Sequence, residues 1–136
     1  VITGDTRPTR SVIEAANEAQ LLIHDSTFGQ GEAERALETG HSTAREAAEI
    51  ARFADVQLLA LVHLSSRYGG GEITNEACET FERSVVPRDF DVIEVPFPER
   101  GVPVLRRREA RAVRGGGGHE AVCQAPEEVV DNPFNA

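Results

Sequence analysis

Gln57-Leu58-Leu59-Ala60-Leu61-Val62-His63 is the stretch on which the fold turns: five consecutive apolar residues behind a glutamine, closed by an imidazole. A run that short and that uniformly apolar predicts a strand buried on both faces, the habit of parallel sheets. Parallel strands must be joined by crossovers, usually helices, and the flanking sequence supplies them. Upstream, residues 43–54 carry Ala47, Ala48, Ile50, Ala51 and Ala54 at helical spacing. Thr43 and Glu46 stand in the S/T-x-x-E relation of a capping box. Further upstream a second apolar run, Leu21-Leu22-Ile23, predicts a strand ending at His24. A loop over 25–30 and a short helix over 31–38, stopped by Gly40, join the two. Residues 1–3 read as the end of another strand, running through the turn Gly4-Asp5-Thr6-Arg7-Pro8 into a helix over 9–19. Downstream lie a glycine-rich loop over 65–71, a helix over 73–84 with Ile73, Ala77, Thr80 and Phe81 inward, and a short strand over 91–95. Strands alternating with helices imply an α/β layered domain.

The 136 residues suit one modest domain, and 40% hydrophobic content argues against disorder. No apolar segment is long enough to span a bilayer as a helix, and no signal peptide is readable, so no membrane role is expected. All fourteen basic residues are arginine, and 23 acids bring the net charge to −9. Acidity with lysine absent resembles proteins of salt-loving archaea, and it excludes a simple basic nucleic-acid patch. Cys78 and Cys123 match no metal or disulfide framework, so a cytoplasmic setting is expected. The chain begins at Val1 and contains no methionine, which leads us to expect a piece of a longer protein. Residues 1–100 hold nine arginines against eighteen acids, whereas 101–136 are balanced and contain Arg106-Arg107-Arg108 and four consecutive glycines at 115–118. Residues 1–100 are therefore expected to form the layered domain, and 101–136 a disordered or non-native tail.

In α/β folds chemistry gathers where strands end and loops begin. Asp5, the pair His24-Asp25, and His63 all fall at such ends. Asp5 offers a carboxylate from a tight turn, suited to a divalent cation or equally to capping the turn. His63 leaves the end of a buried strand, either as a metal ligand or as a packed core histidine. Ser65, Arg67 and Tyr68 follow it with hydroxyls and a guanidinium fitted to a phosphodiester. His41 precedes a helix start beside Ser42 and Thr43, where backbone N–H groups favour an anion such as phosphate. An imidazolium there can protonate a leaving oxygen with Asp25 orienting it, and the same residues also make a capping cluster. His24 is expected to pack, and Thr27 to cap a turn.

Taken in series, Gly4-Asp5-Thr6-Arg7-Pro8, Ile23-His24-Asp25-Ser26-Thr27-Phe28, Gly40-His41-Ser42-Thr43-Ala44 and His63-Leu64-Ser65-Ser66-Arg67-Tyr68 resemble the C-terminal half of RNase Z. This is the tRNA 3′-processing endoribonuclease of the metallo-β-lactamase superfamily. The resemblance implies an α/β fold, the C-terminal half of a metallo-β-lactamase αββα sandwich. It implies Asp5 as a bridging metal ligand, His63 as the last histidine ligand of one zinc, and two zinc ions in the complete enzyme. His41 stands in the family's His-Ser-Thr loop, implied to act with the carboxylate at Asp25, where the family usually has glutamate. Ser42, Thr43, Ser65, Arg67 and Tyr68 are then expected to bind substrate. The implied partners are precursor tRNA and a second copy of the chain. The family's His-x-His-x-Asp-His motif, a further histidine ligand and its tRNA-gripping arm lie in its N-terminal half and are absent here. The resemblance thus implies a segment inactive by itself. The alternatives are another metallo-β-lactamase-fold phosphodiesterase or a non-catalytic α/β interaction module.

Overall fold

The computed structural model describes residues 1–107. Its centre is a parallel sheet in which β1 (Leu21–Asp25) pairs with β2 (Leu58–Val62), and β2 pairs with β3 (Ser84–Val85). The register runs from Leu21 opposite Leu58 to Asp25 opposite Val62. Ile2 bridges Ile23 in parallel on the outer side of β1, with Thr3 N–H donating to the Ile23 carbonyl at 3.1 Å. The central strand β2 is buried along four of its five residues, as its unbroken apolar run requires.

Helix α1 (Arg10–Ala16) starts at Thr9, whose hydroxyl accepts from Val12 N–H at 3.3 Å. Helix α2 (Ala33–Thr39), preceded by a 3-10 turn at Gln30–Glu32, stops at Gly40, whose φ of 80° suits glycine. Helix α3 (Ala44–Phe53) begins with a complete capping box: Glu46 N–H donates to Thr43 Oγ1 at 3.2 Å, and Thr43 N–H donates to Glu46 Oε2 at 2.8 Å. Such a cap contributes about 1 kcal/mol. Its buried face is mostly alanine, and those small side chains let the helix approach the sheet closely. Ala47, Ala48, Ile50 and Ala51 join Leu22, Leu59 and Leu61 in one core, completed by Ile73, Ala77 and Phe81.

Three features differ from the sequence expectation. Helix α4 (Gly70–Cys78) is shorter at its end than the expected 73–84. Phe81 remains buried, but from a turn in which its N–H donates to the Ala77 carbonyl at 2.8 Å. The apolar spacing therefore outlasts the helix, and Ser84 departs as a strand beside Leu59. The strand expected over 91–95 is β4 (Val92–Glu94), which lies outside the parallel sheet. It pairs antiparallel with β5 (Val104–Arg106), backed by an Arg106–Glu94 ion pair at 2.7 Å. The start of the expected tail is therefore structured, and the remainder of that expectation, from 108 on, lies outside the described residues. No helix among the described residues is long and apolar enough to cross a membrane.

Candidate active site

Because β1 and β2 end in register, Asp25 and the residue after Val62 emerge side by side at one edge of the sheet. That next residue, His63, takes a left-handed φ of 62°, which costs a non-glycine residue roughly 1 kcal/mol and turns the chain sharply out of the strand. Asp5 arrives from the neighbouring turn, where Gly4 holds a φ of 67°. His41 arrives from the end of α2. The Phe28–Thr43 bridge, with Phe28 N–H donating to the Ser42 carbonyl at 3.3 Å, lays its loop against the loop after β1.

Asp25 is fully buried and its carboxylate accepts four hydrogen bonds. Oδ1 takes Thr27 N–H at 2.9 Å and the Thr27 hydroxyl at 2.6 Å. Oδ2 takes Thr6 N–H at 3.1 Å and His41 Nδ1 at 2.7 Å. Full satisfaction of this kind is what permits a buried carboxylate. Above it the imidazoles of His41 and His63 stack with centroids 5.0 Å apart and planes 23° apart. Asp5 Oδ1 lies 3.8 Å from His63 Nδ1. One ligand atom from each of Asp5, His41 and His63 falls within 4.8 Å of the others. Two imidazole nitrogens and a carboxylate oxygen match the three-ligand set of a catalytic zinc site. This is the single such group among the described residues.

Asp5, Asp25, His41 and His63 thus meet, although 58 positions separate the first from the last. The expected substrate-binding residues fare differently. Ser42 and Thr43, expected to bind substrate, are fully buried. Ser42 Oγ donates to the Thr6 carbonyl at 2.6 Å, and Thr43 serves the capping box. The expected anion seat at the start of α3 is filled from within the protein. Glu76, on α4, accepts Arg45 N–H at 3.1 Å and Gln30 N–H at 2.9 Å. Ser65 is half-buried and anchored by its N–H to the Thr27 carbonyl at 3.0 Å. Arg67 and Tyr68 both donate to Glu32, the arginine at 2.6 Å. The Tyr68 hydroxyl, and next the Arg67 charge, hold the Glu32 carboxyl below its ordinary range, while the same bond raises the Tyr68 phenol. Sequence reasoning did not find Thr27, Thr6 or Glu76 as site-building residues. Thr6 and Glu76 act through contacts across the fold, and Thr27 adds to its local bonds with Asp25 the contacts to His41 and His63 that no local spacing announces.

His24 packs as expected, wholly buried, with Nδ1 2.8 Å from the Asp25 carbonyl oxygen. Its Nε2 finds no hydrogen-bond partner among the described residues. Burial lowers its pKa, outweighing the opposing pull of the Asp25 carbonyl and charge. An unfolded histidine titrates near 6.5. On acidification through that value the unfolded chain therefore takes up a proton that the folded chain refuses, and stability falls with pH. Urea midpoints measured across this range should show a shallower decline in His24→Leu than in the parent; an unchanged slope would assign the acid sensitivity elsewhere.

No family model matches the chain. Ribonuclease Z from the archaeon Natronomonas pharaonis is 52% identical over 102 residues, covering 73% of this chain and 33% of that protein. The crystal structure of the metallo-beta-lactamase fold protein YhfI from Bacillus subtilis superposes with a TM-score of 0.59 at 29% identity, over 63% of this chain and 35% of that one. That of human tRNase Z, short form, gives 0.54 at 30% identity, over 71% and 33%. The chain spans about a third of the length of the relatives it matches. Its sequence is thus similar to the C-terminal third of ribonuclease Z proteins, and its fold is α/β, like that of the metallo-β-lactamase fold structures it superposes on.

Proposed function

We propose that the chain supplies the leaving-group side of a zinc-dependent endoribonuclease that removes the 3′ trailer of tRNA precursors. The observation that carries the reading is the convergence of Asp5, His41 and His63 within 4.8 Å of one another over the buried Asp25 carboxylate. Asp5 and His63 would hold a divalent cation, zinc by the donor set. When bound, the cation supplies Lewis acidity toward a phosphate oxygen. His41 turns Nδ1–H inward to Asp25, so the ring would act as an imidazolium, handing the proton on Nε2 to the departing 3′-oxygen of the RNA and being left as the neutral Nδ1–H form. Asp25 keeps the ring in that orientation. Arg67 is half exposed, and a phosphodiester reaching it or Tyr68 must compete with Glu32. A cytoplasmic setting and a homodimer belong to the same proposal and rest on the family resemblance.

Asp5 and His63 fall short of the three protein ligands of even one catalytic zinc site, so the segment alone should not complete a two-metal centre. The test is a chimera in which this chain replaces the C-terminal third of the Natronomonas pharaonis ribonuclease Z. The chimera should bind zinc and cleave precursor tRNA at its 3′ side, while the chain by itself should do neither. A folded chimera that cleaves only a chromogenic phosphodiester would replace tRNA by a small substrate. One that cleaves nothing would leave an α/β module without catalysis.

A further inference from the structure

The hydroxyl of Thr27 touches three groups of the site at once. It lies 2.6 Å from Asp25 Oδ1, 2.7 Å from His63 Nδ1 and 3.1 Å from His41 Nδ1. A threonine hydroxyl has one proton to give, and an ionised carboxylate can only accept. The proton therefore goes to Asp25 Oδ1. Oγ1 then faces His63 Nδ1 with lone pairs alone, so that nitrogen must carry the hydrogen of the bond. His41 Nδ1 has its shorter contact, 2.7 Å, with Asp25 Oδ2, again a pure acceptor, so it too must carry a hydrogen.

From this count we infer that Thr27 is a positioning residue that fixes His63 in its Nδ1–H tautomer and turns the Nε2 lone pair away from the buried carboxylate. Asp25 does the same for His41 directly, and for His63 only through Thr27, because His63 Nδ1 is 3.8 Å from Asp25 Oδ1. The two stacked rings therefore present the same nitrogen to the outside, set by one buried anion and one relayed hydroxyl. A histidine ligand commonly donates its second N–H to a carboxylate or carbonyl that sets its orientation. Here the hydroxyl intervenes, and Thr27 is itself locked by its N–H to Asp25 Oδ1 at 2.9 Å. The consequence for metal binding rests on the proposed function; the tautomer assignment does not, since it follows from the hydrogen count alone.

The test is the imidazole nitrogen NMR spectrum of the 15N-labelled chain, recorded above the imidazole titration range, in the parent, Thr27→Val and Thr27→Ser. In the parent, His41 and His63 should both appear as Nδ1–H forms, favoured about tenfold, the ratio one hydrogen bond sustains. In Thr27→Val, His63 should swing to the Nε2–H form that an unconstrained histidine prefers while His41 stays as it was. Thr27→Ser should restore the parent pattern. A parent His63 in the Nε2–H form overturns the assignment, and so does a His63 that keeps Nδ1–H when the hydroxyl is gone. If Thr27→Val does not fold, the parent and Thr27→Ser spectra decide it by themselves. Loss of RNA cleavage plays no part in the readout, so failure of the nuclease reading would leave this result standing.

Discussion

Asp25→Asn, made in the chimera described above, should lower kcat for precursor tRNA cleavage by about 10²–10⁴-fold, the range set by loss of a general acid. The exchange is nearly isosteric, yet the site cannot accommodate an amide in either orientation. With Nδ2 in the place of Oδ2, it opposes Thr6 N–H and forces His41 Nδ1 to surrender its hydrogen. With Nδ2 in the place of Oδ1, it opposes Thr27 N–H, a backbone donor that cannot turn away. Each buried donor left without an acceptor costs roughly 1–3 kcal/mol, so the substitution should also lower the urea midpoint. The two losses are separable. Substrate affinity, read in KM, should change little, because Asp25 is fully buried and cannot touch RNA. A His41→Asn variant should lose as much rate as Asp25→Asn while sparing the Thr6 and Thr27 contacts. A kcat within tenfold of the parent for Asp25→Asn would remove the Asp25–His41 pair from the chemistry.

How far the sequence revealed this arrangement depends on the range over which each residue acts. The unbroken run from Leu58 to Val62 showed a strand buried on both faces because burial on both faces leaves no position for a polar residue. Thr43 and Glu46 announced the start of α3 because a capping box is closed within four residues. Gly40 announced the end of α2 for the same local reason. Signals that needed a partner elsewhere in the fold were not readable. Ser84–Val85 is a strand of two residues whose identity comes from its neighbours Leu59 and Ala60, and helical spacing carried the reading past it. Arg67 and Tyr68 looked like phosphate ligands, which their chemistry allows, and nothing in the sequence shows that Glu32 meets both from 35 and 36 positions away. Thr27 looked like a turn residue; its hydroxyl gains its meaning only when His63 comes within 2.7 Å. For the site, sequence reading named Asp5, Asp25, His41 and His63, which the fold brings together, but gave no sign of the Thr27 and Thr6 contacts that surround them.

Glu76 shows the same gap with a larger structural consequence. Its carboxylate, on α4, accepts backbone N–H groups from two other segments at once: Gln30 at the 3-10 turn and Arg45 in the first turn of α3. The negative charge also sits at the N-terminal end of the α3 dipole, where an anion is favoured. Gln30 lies two residues after Phe28, whose carbonyl accepts Ala44 N–H at 2.9 Å, so the same clamp holds the loop of Asp25 and Thr27 against the loop of His41. Glu76→Ala should therefore cost about 2–3 kcal/mol, two orphaned donors and a lost dipole contact taken together. For a domain of this size that is a fall in Tm on the order of 10 °C. Glu76→Gln keeps an acceptor oxygen but not the charge, so it should recover part of the loss. Added phosphate separates this from a generic helix defect. With the internal anion removed, the start of α3 becomes an empty anion seat, and phosphate should raise the Tm of Glu76→Ala more than that of the parent. Equal shifts in both proteins would mean that removing Glu76 opens no anion seat at the start of α3, and that the loss is a generic helix defect.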